Sequence, residues 1–255
     1  MLGSPLEAHY RTGSPPAHRL DSGARLRPLK INGAGLRPCV PLACRPCPVD
    51  ADGEIAQVPR ESEGEFQCGN YQKEAEDLRS VVSYLSEQKY DIIALVGHSK
   101  GGNAVLLYAS MYPDVPAIVN ISGRFALEHG MEGRLGKNFI QRIRKDGYID
   151  VRNRKGEFEY RVTEESLRDR LSTDTLLSSR SISKNCRVLT VHGSKDETVP
   201  ARDALMFAAN IPNHELHIVA GANHWYTGHE QELTSLVLDF IRPRPRAPPS
   251  LHPKL

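Results

Sequence analysis

The segment Gly97-His98-Ser99-Lys100-Gly101 constrains this chain more than any other. It follows residues 91–96, Asp-Ile-Ile-Ala-Leu-Val, an apolar run short enough to be a buried strand. It precedes residues 102–109, Gly-Asn-Ala-Val-Leu-Leu-Tyr-Ala, which favour a helix. A chain that passes from strand to helix over so few residues must turn sharply, and the residue at the apex takes a strained backbone conformation. Glycines two positions to either side remove the side chains that would collide there. Such a turn lifts the Ser99 hydroxyl off the sheet. It also sets the Lys100 N–H at the start of a helix, where it can donate to a developing oxyanion.

A serine hydroxyl becomes a nucleophile when a base takes its proton and a third group orients that base. Two later segments supply candidates. Residues 186–193, Cys-Arg-Val-Leu-Thr-Val-His-Gly, read as a strand ending in the polar loop 194–200, which contains Asp196. Residues 215–221 read as another strand, followed by Ala222-Asn223-His224-Trp225. In an open parallel sheet the C-terminal strand ends share one edge, and ligands bind there. Ser99, Asp196 and His224 are therefore expected to converge although they are distant in sequence. Glu197 is the rival of Asp196. Among the 10 histidines, His217 is expected to pack within a strand, His192 to line the site, His98 to point into the core or along the pocket wall, and His229 to open the last helix.

Helical spacing of Tyr71, Ala75, Leu78, Val82 and Leu85 predicts an amphipathic helix over residues 70–89, with Asn70 as its N-cap. Residues 115–121 form the next expected strand. Residues 122–186 then interrupt the alternation. They carry a helical pattern from Leu135 to Lys145, a hairpin around Asn153-Arg154-Lys155-Gly156, and a helix from Thr163 with Glu164 and Glu165 in its first turn. Helices over 202–210 and 229–241 follow, the last burying Leu233, Leu236, Val237, Phe240 and Ile241.

The chain has 255 residues, enough for one domain, and 33 basic against 31 acidic side chains. That balance gives no signal for nucleic acid. No run of 18 apolar residues is present, so no transmembrane segment is expected. Cys39, Cys44, Cys47, Cys68 and Cys186 are odd in number, and no fourth zinc ligand stands close to the first three except Cys68, which favours reduced thiols, no metal and a cytoplasmic setting.

On the turn 97–102, on Val191-His192-Gly193-Ser194-Lys195-Asp196, on Gly221-Ala222-Asn223-His224 and on Glu61-Ser62-Glu63-Gly64-Glu65-Phe66, the chain resembles the α/β-hydrolase superfamily from about residue 61 onward. Within it the chain looks most like the plant esterase or lipase-like branch described as serine aminopeptidase-like or monoacylglycerol-lipase-like. The resemblance implies a partial α/β-hydrolase fold: a mostly parallel sheet, helices on both faces, core segments 61–121 and 187–243, and a lid inserted at 122–186. It implies a serine hydrolase acting on a small or medium acyl ester without a cofactor, in which Ser99, Asp196 and His224 form the triad and the Lys100 N–H is one oxyanion donor. Lys100 departs from the usual Gln, Met or small residue, and its ammonium is expected at the pocket mouth or in solvent.

Residues 1–60 do not fit this pattern. They hold nine of the 18 prolines and no His-Gly pair. This irregular segment, and the tail 244–255, are expected to be disordered. Without the family's first strands, the strand before Ser99 becomes a sheet edge that invites self-association. The second oxyanion donor, which the family draws from a His-Gly turn, would be lost. A truncated or alternatively spliced form, or an incorrect first exon, accounts for this; a plastid transit peptide is the rival, weakened by Glu7, Asp21, Asp50, Asp52 and Glu54. The alternative function is a catalytically impaired remnant with at most a binding role.

Overall fold

Short apolar runs alternating with helical periodicity build a parallel sheet with crossover helices. The structure, a computed structural model, describes residues 68–153 and 155–242. Expectations for residues 1–66, for Cys39, Cys44 and Cys47, and for the tail 244–255 lie outside the described residues. In chain order the elements are α1 (Tyr71–Glu87), β1 (Leu95–His98), α2 (Lys100–Met111), β2 (Ala117–Ile121), α3 (Glu132–Leu135), α4 (Phe139–Asp146), β3 (Tyr148–Arg152), β4 (Phe158–Thr163), α5 (Glu164–Ser172), α6 (Thr175–Ser181), β5 (Arg187–Gly193), α7 (Arg202–Asn210), β6 (His214–Val219) and α8 (Glu230–Ile241).

Four strands form an all-parallel sheet in the order β1-β2-β5-β6. Alternate side chains of each strand face opposite layers. Ile118 and Val188 join Leu78, Val105, Phe207 and Ile182 on one face. Val119, Leu189 and Val191 meet Val237 and Phe240 of α8 on the other. The sheet thus has helices on both faces, as the sequence implies, and β1 is an edge among the described residues. No helix among the described residues is long and apolar enough to cross a membrane.

Residues 122–186 leave this sheet and build a separate antiparallel hairpin, β3 with β4. Ile143, Ile149, Val162 and Leu167 form its own apolar cluster. Two details of this excursion differ from expectation. The helix expected over 135–145 is split into α3 and α4, because Gly136 (φ 79°) and Asn138 (φ 58°) adopt backbone conformations that no helix continues through. The last part of the excursion contains an unexpected helix, α6, which packs on α2 while Ile182 enters the main core. Its signal was available: Asp174 accepts from the Leu177 N–H at 2.8 Å as an N-cap.

Two further readings shift. The strand expected over 91–96 forms at Leu95–His98, since its ladder runs only where β2 does. In that register Ile93 stands opposite Pro116, which has no N–H to offer. Asn70 occupies the N-cap position of α1 in a left-handed conformation (φ 62°), but the Tyr71 N–H is taken by Asp169 of α5 at 2.9 Å. His217 lies inside a strand as expected, half-buried on β6, which is an edge among the described residues.

The Lys100 ammonium goes neither to the pocket mouth nor to solvent. It turns back onto Glu74 of α1 and lies 5.2 Å from the Tyr71 ring, joining the first two helices. Burial pushes the Glu74 carboxyl up to about 7, with the Lys100 charge opposing it. The folded chain therefore holds a proton that the unfolded chain releases from about pH 4.5, so this contribution to stability is lost as pH rises toward 7. Glu74→Gln is expected to remove that fall, which is on the order of 2–3 kcal/mol. Urea midpoints of both proteins at several pH values between 4.5 and 8 check it, and parallel curves would refute it. The start of α5 offers a second measurement. Thr163 and Ser166 form a reciprocal capping box, with the Ser166 N–H donating to Thr163 Oγ1 and the Thr163 N–H to Ser166 Oγ, each at 3.1 Å. Thr163→Ala should cost about 1 kcal/mol in thermal or chemical denaturation.

Candidate active site

Ser99 sits between β1 and α2 with φ 55° and ψ −119°, a conformation that costs on the order of 1–3 kcal/mol for a non-glycine residue. Its surroundings hold it there. The Ser99 N–H donates to Ile121 O at 2.8 Å, and the Ser99 carbonyl accepts from Gly102 N–H at 3.0 Å and Asn103 N–H at 3.3 Å. A Cβ on Gly97 would lie 2.1 Å from Gly101 O, and one on Gly102 would lie 2.3 Å from Asn120 Oδ1. The glycine read from the sequence at position 97 thus has a steric cause, and on the far side of the turn the close approach falls at Gly102, one residue beyond Gly101.

The side chains expected to converge do so. His224 Nε2 lies 3.1 Å from Ser99 Oγ, and His224 Nδ1 lies 2.8 Å from Asp196 Oδ2. Asp196 follows β5, and His224 follows β6, each just beyond the C-terminal end of its strand. Glu197 does not compete for the imidazole; its Oε2 accepts from the His224 backbone N–H at 3.3 Å. The Lys100 N–H opens α2 directly after Ser99.

Asp196 is fully enclosed and its oxygens are heavily used. Oδ1 accepts from the Thr198 N–H at 2.9 Å and the Val199 N–H at 2.7 Å, while Oδ2 faces His224. Burial alone would raise this carboxyl. The hydrogen bonds from His192, His224 and the Val199 N–H outweigh that and hold it well below the usual carboxylate range. An ionised Asp196 facing Nδ1 fixes the tautomer of His224: Nδ1 carries the hydrogen and Nε2 is free to accept one.

His192 was expected to line the site and instead lies behind it, with 0% exposure. Its Nε2 is 2.9 Å from Val199 O and 3.3 Å from Asp196 Oδ2. Two acceptors require Nε2 to carry the hydrogen, and the buried Nδ1 has no hydrogen-bond partner. The ring therefore presents its Nε2–H to Val199 O and to the carboxylate that faces His224. His98 runs along the wall: its Nε2 donates to His224 O at 2.8 Å, and burial, aided by the neighbouring His224, lowers its pKa to about 4. Trp225, 60% exposed, meets His98 at a tilt and His224 edge to face, at ring separations of 5.5 and 5.4 Å, so a broad apolar surface borders the imidazole. Tyr226, also missed by sequence reasoning, is buried beneath with φ 57°; it donates to Val191 O at 3.0 Å and accepts from Ser122 Oγ at 3.0 Å.

Solved structures with the same architecture include Est1E from Butyrivibrio proteoclasticus, at 24% identity, covering 68% of this chain and 70% of that one, with a TM-score of 0.57. The α/β-hydrolase GrgF from Penicillium sp. sh18 matches at 22% identity over 71% of this chain and 74% of its own, also at 0.57. A monoacylglycerol lipase from Paleococcus ferrophilus matches at 16% identity over 71% and 79%, at 0.51. At these identities the likeness is one of fold. Residues 63–243 match the prolyl oligopeptidase family, and the chain belongs to that family within the α/β-hydrolase superfamily.

Proposed function

We propose that this protein is a serine hydrolase that cleaves a carboxylic ester or related acyl bond through an acyl-serine intermediate. The observation that carries the reading is the continuous hydrogen-bonded line from Ser99 Oγ through His224 to Asp196. His224 Nε2 takes the hydroxyl proton as Ser99 Oγ attacks the carbonyl carbon, and the Lys100 N–H donates to the oxygen as it gains charge. His224 then returns the proton to the leaving group, and the ester oxygen departs. Water attacks the acyl-serine by the same route in reverse. Asp196 stays ionised throughout and favours the imidazolium that forms in each step. The lipase name of the Paleococcus ferrophilus relative agrees with an ester substrate, and no cofactor enters this chemistry.

One observation favours the competing reading of an impaired remnant. No His-Gly pair precedes residue 97, and the family draws its second oxyanion donor from such a turn. Loss of one donor lowers kcat by about 10²–10³. The two readings separate in one experiment. A fluorophosphonate probe should label Ser99, with the label lost in Ser99→Ala, and p-nitrophenyl butyrate should be hydrolysed with Ser99-dependent turnover. Labelling with barely measurable turnover would favour the remnant. Absence of labelling in folded protein would refute the hydrolase.

A further inference from the structure

Two cationic side chains near Ser99, Arg124 and Arg170, form no ion pair among the described residues. Arg124 stands three residues past Ile121, whose carbonyl accepts the Ser99 N–H. Its backbone is clamped to α2: the Arg124 N–H donates to Asn103 Oδ1 at 2.9 Å, and Asn103 Nδ2 donates to Arg124 O at 2.6 Å. Its guanidinium reaches across to Thr198 O, two residues beyond Asp196. Arg124 therefore bridges the end of β2 and the loop that holds Asp196.

Arg170 approaches from α5. Its Nε donates to Leu127 O at 2.9 Å and its Nη1 to Tyr71 Oη at 3.0 Å. The Tyr71 ring in turn lies beside Lys100, the neighbour of Ser99. Both arginines are half-buried. Their hydrogen bonds among the described residues all end on neutral oxygens, and neither has an ion pair there. The carboxylates nearby serve backbone groups: Asp169 accepts from the Tyr71 N–H, and Asp203 Oδ2 from the Phe125 and Ala126 N–H groups. Burial first, and then the Arg170 charge, push the Arg124 guanidinium below its ordinary value, while Asp203 and Asp196 act more weakly in the opposite direction, so the two cations act on one another.

Half-buried like charges without an ion-pair partner are costly, and a bound anion relieves both. Neutral oxygens engage the Arg124 guanidinium once and the Arg170 guanidinium twice, and the remaining N–H groups can meet a carboxylate. We infer that Arg124 and Arg170 form a receptor for a carboxylate carried by the ligand of this site, so that the enzyme takes acyl compounds with a free acid group. The assignment rests on the hydrolase reading only in calling that ligand a substrate.

Binding tests it without turnover. In full-length protein carrying Ser99→Ala, calorimetric titration compares monoethyl glutarate with diethyl glutarate. The half-ester should bind at least about tenfold more tightly, equivalent to ~1.4 kcal/mol. Arg124→Gln and Arg170→Gln should each erase about that factor for the half-ester and leave the diester affinity as it was. Arg170→Lys, which keeps the charge but not the fork, guards against a folding defect, and thermal melts check all variants. Equal affinity for the two esters, no binding of the half-ester, or half-ester affinity indifferent to Arg124→Gln would each overturn the receptor. Inorganic phosphate binding more tightly than the half-ester would overturn its assignment to a carboxylate. Failure of probe labelling at Ser99 bears on the hydrolase alone.

Discussion

A serine held in a backbone conformation that serine ordinarily avoids is the constraint on which the rest depends. The 1–3 kcal/mol scale of that strain is a large part of a typical domain's total stability of about 5–15 kcal/mol. It persists because the turn is fixed from three sides: by Ile121 O on the neighbouring strand, by the first turn of α2, and by backbone packed against Gly97 and Gly102. Each of these needs β1 and β2 to be parallel and in register, with His98 opposite Ile121. The sheet therefore determines where the hydroxyl points, and the same parallel alignment brings the ends of β5 and β6 to the same rim.

The carboxylate at that rim is arranged to remain charged. Asp196 sits where burial disfavours ionisation, yet it is met by two backbone N–H groups and two imidazoles. A buried carboxylate with that many donors is a fixed negative charge, which is what an adjacent imidazolium requires during proton transfer. His192 contributes to this from the interior. Its own hydrogen is shared between Val199 O and Asp196, so it ties the loop's backbone to the same carboxylate it stabilises.

How much of this the sequence disclosed follows from which interactions are local. The turn around Ser99, the hairpin near Gly156 and the cap at Thr163 all depend on residues within a few positions of one another, and their residue types announce them. The convergence of Ser99, Asp196 and His224 was legible because parallel strands share a rim, a rule of topology that needs no contact list. The errors have the opposite character. The start of β1 was misplaced because its ladder depends on β2, more than twenty residues away. The Tyr71 N–H at the start of α1 is met by Asp169, not by Asn70, because an acceptor 98 residues distant arrived through tertiary packing. His192 was expected at the site's surface because its position at a strand end does not reveal which way its ring faces. Lys100 was sent outward because nothing local shows that Glu74 is buried against it.

The excursion between β2 and β5 belongs to this second, non-local class, and its attachment matters more than its shape. Its hairpin and cluster of Ile143, Ile149 and Val162 are self-contained, so they could in principle float free of the sheet. Polar contacts prevent that. Asp169 and Arg170, consecutive on α5, take hold of the backbone N–H and the hydroxyl of the same residue, Tyr71, at the start of α1. Burial raises the Tyr71 hydroxyl well above its usual pKa, so it stays a neutral partner that accepts from Arg170. Arg170 also binds Leu127 O, near the point where the excursion leaves the sheet. Directed hydrogen bonds from α5 thus add to the packing of α6 on α2 and of Ile182 in the main core in locating this segment beside Ser99. Directed bonds fix position without filling space, and so a segment that varies freely in its own core can still present a charged side chain to the rim at a set place.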